Sequence, residues 1–170
     1  MRGERERQEV ADLYITAREG VIRYLVASGL DGDAAAEATQ EAFLRLYSAK
    51  RDGEQIREPA LWVYRVARNI AINTVKRSAL TKSALFEALE ATIASAESSA
   101  EEQLIEREWM ESFGEAMKNL SERQRLCLEL RSQGLRYRDI AEVLEIQIST
   151  AAEYVRRGIE ELRKWNRCRS

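Results

Sequence analysis

The 170-residue chain has no histidine, one proline, two cysteines and eight glycines. Without an imidazole, Ser-His-Asp and Cys-His nucleophile arrangements are excluded, as are the carboxylate-plus-histidine di-iron sites of helical bundles. Cys127 and Cys168 show no CxxC spacing. Two such thiols with no histidine make neither a zinc site nor a disulfide framework, so each reads as a plain reduced thiol. No glycine-rich phosphate loop is present, so no metal, cofactor or small-molecule substrate is expected. A small helical enzyme using Asp33 or Glu41 as acid or base is the weakest reading, because it lacks these usual parts. No run approaches the roughly 18 to 20 apolar residues of a membrane span. The segment from Met1 to Glu9 is charged, with no apolar stretch behind it, and the expected location is the cytoplasm.

What is present suits helical, core-forming protein: 45% of residues are hydrophobic and 33% charged. The formal net charge of -2 gives no overall attraction to nucleic acid, but the charge is segregated. Residues 1–82 carry 14 basic and 12 acidic side chains, 83–115 one basic and nine acidic, and 116–170 12 basic and eight acidic. Two mildly basic blocks flank an acidic middle.

Val10, Leu13, Tyr14, Ala17, Val21, Ile22 and Leu25 recur at three- and four-residue steps, which predicts an amphipathic helix ending at Ser28 and Gly29. Asp33 is placed to cap a second helix burying Ala36, Gln40, Phe43, Leu44 and Tyr47, with a polar loop over 48–58. Pro59 fits the first turn of a third helix, which places Val63, Val66, Ala67, Ile70, Ala71 and Thr74 on one face. Residues 78–100, rich in Ala, Ser and Glu, read as a tether with transient helix near Leu85 to Ile93. Helical spacing returns over 101–120. Ser121 to Gln124 then forms a capping box opening a helix that stops near Gly134. A short helix over 137–144 turns inward Ile140, Ala141 and Leu144, and a last helix runs from about Ser149 to Trp165. No strand pattern occurs. The expected fold is all-α, with two small helical domains at 1–80 and 101–170 joined by a flexible acidic linker at 81–100.

Two short helices joined by a tight turn, the second bearing arginines, form a helix-turn-helix layout that admits the second helix to the major groove. An αα-hairpin inside an ordinary bundle is the plainer alternative. The segments LSERQR at 120–125, GLRYRDIAEVL at 134–144, Ile148-Ser149-Thr150 and Arg156-Arg157 resemble region 4 of the extracytoplasmic-function (ECF) sigma factors. Independently, QEAFLRLY at 40–47 resembles region 2.2 of the same family, and WVYRVARNIAIN at 62–73 resembles its promoter-reading helix. Two unrelated motifs in the right order are more specific than either alone.

The resemblance implies a subunit that binds the β′ clamp helices and β flap of core RNA polymerase and leaves chemistry to it. It also implies recognition of promoter DNA at minus-ten and minus-thirty-five, melting of the former, and control by an anti-sigma factor. By resemblance, Glu37, Gln40, Glu41 and Arg45 face core polymerase. Arg65, Asn69 and Asn73, spaced at i, i+4 and i+8, share one helical side suited to a melted strand. Arg68 and Lys76 add charge for phosphates. The loop carrying Lys50, Arg51, Asp52, Gly53 and Glu54 is the candidate for holding a flipped base. Trp62 and Tyr64 read first as core and second as base-stacking groups. Ser149, Thr150, Glu153, Tyr154, Arg156 and Arg157 are the candidates at minus-thirty-five.

The chain departs from the family pattern in places. Glu37 stands where aspartate is usual, and Ala38 and Thr39 replace apolar residues. Glu145 occupies the customary place of a turn glycine. Ala152, Glu153 and Tyr154 replace a segment that is often basic, leaving Arg156 and Arg157 as the obvious cations. The rival within DNA binding is a conventional helix-turn-helix regulator that binds an operator without polymerase, but it leaves the N-terminal motifs unexplained.

Overall fold

The structure, a computed structural model, describes residues 2–77 and 116–167. The first group is α1 (Arg2–Ala27), α2 (Gly32–Arg51) and α3 (Pro59–Arg77); the second is α4 (Glu122–Ser132), α5 (Tyr137–Leu144) and α6 (Ile148–Arg167). Residues 116–118 are also helical, and no strand occurs among the described residues. The expected tether, its transient helix and the helical spacing of 101–115 lie outside the described residues.

Packing of amphipathic faces makes the first group a three-helix bundle. Val21, Tyr24 and Leu25 of α1 bury against Phe43 and Leu46 of α2 and Val63, Tyr64 and Ala67 of α3. The Tyr14 and Phe43 rings meet edge to face at 5.0 Å, and Tyr24 and Tyr64 at 5.8 Å. These are the offset geometries that the ring quadrupole favours.

Three local expectations change. The cap of α2 is Asp31, whose carboxylate accepts the Ala34 N–H at 2.8 Å, while Asp33 sits in the first turn. The helix continues through Arg51, so 48–51 is helical and the loop is confined to 52–58. The face of α2 is also rotated. Ala35, Ala38, Thr39, Ala42, Phe43, Leu46 and Ala49 are buried, whereas Gln40 and Leu44 are exposed. Alanine at these steps lets neighbouring helices approach closely, so small residues form the inner stripe. The Thr39 hydroxyl, buried among them, donates to the Ala35 carbonyl at 2.7 Å and is satisfied.

In the second group the capping box forms as expected. The Ser121 hydroxyl accepts the Gln124 N–H at 3.3 Å, and the Gln124 side chain accepts the Ser121 N–H at 2.7 Å. Leu126, Cys127 and Leu130 of α4 meet Ile140, Ala141, Val143 and Leu144 of α5 and Ala151 and Val155 of α6. The two groups also pack on each other, α1 against α4 and α3 against α5. Their buried residues make one continuous core.

Candidate nucleic-acid interface

The helix-turn-helix is built locally. The Arg136 N–H donates to the Asp139 carboxylate at 3.0 Å and closes the start of α5. At its end, Glu145 takes the left-handed conformation, with φ 54° and ψ 49°. That conformation costs a residue with a Cβ about 1 kcal/mol or more, which is why glycine is usual at such caps. The turn lets the Ile146 N–H reach the Ala141 carbonyl at 3.0 Å, and α6 begins two residues later.

On α6, buried Ala151 and Val155 set the inner side, leaving Ser149, Arg156 and Arg157 exposed and Thr150, Ala152, Glu153 and Tyr154 partly so. Arg156 and Arg157 are not free cations. Arg157 Nε donates to Glu153 at 2.6 Å, and Arg156 donates to Glu153 at 2.7 and 2.9 Å and to Glu160 at 2.5 Å. Hydrogen bonds from Arg156, then Arg157, hold the Glu153 carboxyl down at about 2, so it stays ionised.

On α3, Arg65, Asn69 and Asn73 share one exposed side, as their spacing requires. Arg68 is largely covered, with its side chain 16% exposed. Both arginines are engaged by the second helical group: Arg65 donates to Glu142 at 2.9 Å, and Arg68 lies 3.0 Å from Glu145. Tyr64 is buried, its hydroxyl pushed up to about 12 by burial, and Trp62 packs partly buried against the core. Both rings pack with the core, as first read, with part of Trp62 still exposed. The side chain of Lys76 lies outside the described residues.

The loop between α2 and α3 exposes Asp52, Gly53 and Glu54. Lys50 is not among its members. From the last turn of α2 it donates to Glu9 of α1 at 2.6 Å, and the pairing lowers the Glu9 pKa. Arg51, also helical, pairs with Asp52 at 3.4 Å.

A third surface lies along α2. Glu37, Gln40, Glu41 and Arg45 are exposed along α2, with Arg45 donating to Glu41 at 2.8 Å. Beside them Leu44 is 54% exposed and Ile15 of α1 is 78% exposed. Together with Tyr14, Phe43 and Tyr47 they line an apolar groove. Exposed large apolar side chains in a groove are the usual mark of an interaction surface. Periodicity missed Ile15 entirely and put Leu44 inside. Isoleucine at an exposed helix position carries no signal of its own.

Residues 13–81 match the family model for sigma-70 region 2, and residues 110–162 match that for sigma-70 region 4. Between them they cover most of the chain. It belongs to the sigma-70 family. In this sigma factor the region 2 match takes in α1 from residue 13 together with α2 and α3, and the region 4 match takes in α4, α5 and α6 as far as residue 162, the domain pair that the sequence motifs pointed to. No curated protein sequence matches the chain. Sigma factors of this family act in transcription initiation with RNA polymerase and promoter DNA. No helix among the described residues is long and apolar enough to cross a membrane.

Proposed function

We propose that this chain is an initiation factor of the extracytoplasmic-function type, acting in the cytoplasm with core RNA polymerase. The α2 face of Glu37, Gln40, Glu41 and Arg45, extended by Leu44 and Ile15, docks on the β′ clamp helices, and region 4 meets the β flap. Arg65, Arg68, Asn69, Asn73 and Lys76 of α3, with the loop at Asp52 to Glu54, take the melted minus-ten strand. Ser149, Thr150, Glu153, Tyr154, Arg156 and Arg157 of α6 meet minus-thirty-five DNA.

The observation that carries the reading is the pair of matches, region 2 followed by region 4. A conventional helix-turn-helix regulator has no use for the first. The chemistry agrees. Asparagine on α3 both donates and accepts to base edges, while arginine supplies phosphate contacts. The chain's formal charge of -2 suits a subunit that holds promoters firmly only with polymerase. The phosphodiester chemistry belongs to the polymerase, and an anti-sigma factor that covers both domains completes the regulation.

The test is in vitro transcription on a library of promoter fragments by core polymerase with and without this chain. Initiated transcripts that require the chain support the reading. Equal transcript sets with and without it would overturn the reading.

A further inference from the structure

The loop between α2 and α3 hangs between two anchors. On its far side Ile56 packs half-buried against the core, and Pro59 opens α3. On its near side three backbone bonds tie it to the last turn of α2. The Asp52 N–H donates to the Ser48 carbonyl at 2.9 Å, the Gly53 N–H to the Lys50 carbonyl at 3.1 Å and the Glu54 N–H to the Ala49 carbonyl at 2.9 Å. Gly53, with φ 93°, makes the reversal. Where Asp52, Gly53 and Glu54 stand is therefore set by where the last turn of α2 stands. Helix ends fray, because their outermost groups lack intrahelical partners.

That turn is held from α1. The Lys50 side chain is only 14% exposed, and its ammonium donates to Glu9 Oε2 at 2.6 Å. The other oxygen of the same carboxylate accepts from Arg5 Nε, one helical turn earlier, at 3.1 Å. Glu9 is thus fixed by a cation on each oxygen. Lys50 first, then Arg5, lower its pKa, so it is ionised at neutral pH. Arg5 and Glu9 belong to the first turns of α1, ahead of residue 13, where the region 2 match begins. A half-exposed ion pair contributes little to global stability. Its consequence here is local, because the residue it holds also carries the carbonyl that receives the Gly53 turn.

We infer that Glu9 is a positioning residue for minus-ten recognition: through Lys50 it clamps the last turn of α2 and fixes the loop at Asp52 to Glu54 against the extruded base. Arg5 steadies the Glu9 carboxylate. Recognition groups discriminate only when held to within about half an ångström of the productive geometry. Loss of the clamp therefore blurs the choice of base before it affects folding. This inference rests on the proposed role of the loop, but the clamp itself is tested without polymerase or DNA.

The experiment compares the full-length parent with Glu9→Ala, which keeps a strong helix former at the position. In the free chain, amide hydrogen exchange at Gly53 and Glu54, read by NMR, should be several-fold faster in the variant, with the thermal melt unchanged. With core polymerase, transcription is measured on bubble templates carrying each of the four bases at every minus-ten position in turn. At one position the ratio between the best and the worst base should fall several-fold in Glu9→Ala. Preferences at the other positions and affinity for core polymerase should stay as in the parent. The triple variant Arg5→Glu, Glu9→Lys and Lys50→Glu reverses every charge of the clamp and should restore both exchange and base preference. Parental exchange rates in Glu9→Ala, or a parental preference profile, would overturn the inference. So would an equal loss on every template, which is what a merely structural role produces, or a triple variant that behaves like Glu9→Ala. A parent that initiates on no template would overturn the function proposed above and the loop's part in it, while the exchange result would still report the clamp.

Discussion

Glu153 and Arg156 form a two-pronged ion pair on the exposed side of α6, with Arg156 Nε at 2.9 Å from one carboxylate oxygen and Nη2 at 2.7 Å from the other. The same carboxylate holds Arg157 at 2.6 Å. Arg156 and Arg157 are thereby answered by one acid, with Glu160 also holding Arg156, and on the proposed reading DNA phosphates must displace these carboxylates.

Glu153→Gln should therefore tighten binding of the holoenzyme to minus-thirty-five duplex, read by fluorescence anisotropy. If both arginines reach phosphates, replacing them with alanine lowers the salt slope by about two, at roughly 0.9 per phosphate neutralised. The folded-state pKa of Glu153 is depressed to about 2. Its pairing is thus complete above the ordinary carboxylate range and is lost only as pH falls towards 2. The Glu153→Gln effect should be the same at pH 6 and pH 8. A gain present at one pH and absent at the other would show that another group controls this face.

Glu41→Lys places a cation one helical turn from Arg45 in place of the present ion pair. The cost to the helix is only a few tenths of a kcal/mol, so the melt should barely move. Core polymerase affinity should drop at least tenfold, and Leu44→Asp should do the same by putting a charge into the apolar groove. Unchanged affinity in both variants would remove this face from the docking surface.

Asn69→Ala with Asn73→Ala removes two exposed amides from α3 and leaves its buried side untouched. The variant should bind core polymerase and duplex promoter much as the parent does. Permanganate-detectable melting should be lost, with partial recovery of transcription on a pre-melted bubble template. Extruding a base costs a few kcal/mol, and these contacts are its proposed compensation. Melting of linear promoter DNA at the parental rate would separate this face from strand opening.

Cys127 is fully buried, and burial pushes its thiol up to about 11. The thiolate is the reactive form, so iodoacetamide at pH 8 should leave Cys127 unmodified until urea unfolds region 4. Rapid labelling of the native protein, located by peptide mass spectrometry, would show that α4 opens locally.

Much of this was legible in the chain itself, because caps and helical periodicity are local. The capping box at Ser121, the span Tyr137–Leu144 and the start of α3 at Pro59 were all readable from neighbours within four residues. So were the two family motifs and the shared side of Arg65, Asn69 and Asn73. Other features depended on residues far away in sequence. Alanines contribute little apolar weight, so the larger Leu44 and Tyr47 outweighed the true inner stripe of α2, which only the packing of α1 and α3 reveals. Lys50 read as loop because its partner, Glu9, lies 41 positions earlier. No periodicity joins Arg65 to Glu142 or Arg68 to Glu145, since each pair spans 77 residues and depends on how the two helical groups meet. The sequence by itself determined which helices form and which family they compose, because those depend on short-range spacing and propensity. Only the tertiary structure decided which charges are available to a partner, because an ion pair between domains exists only once the chain has folded back on itself.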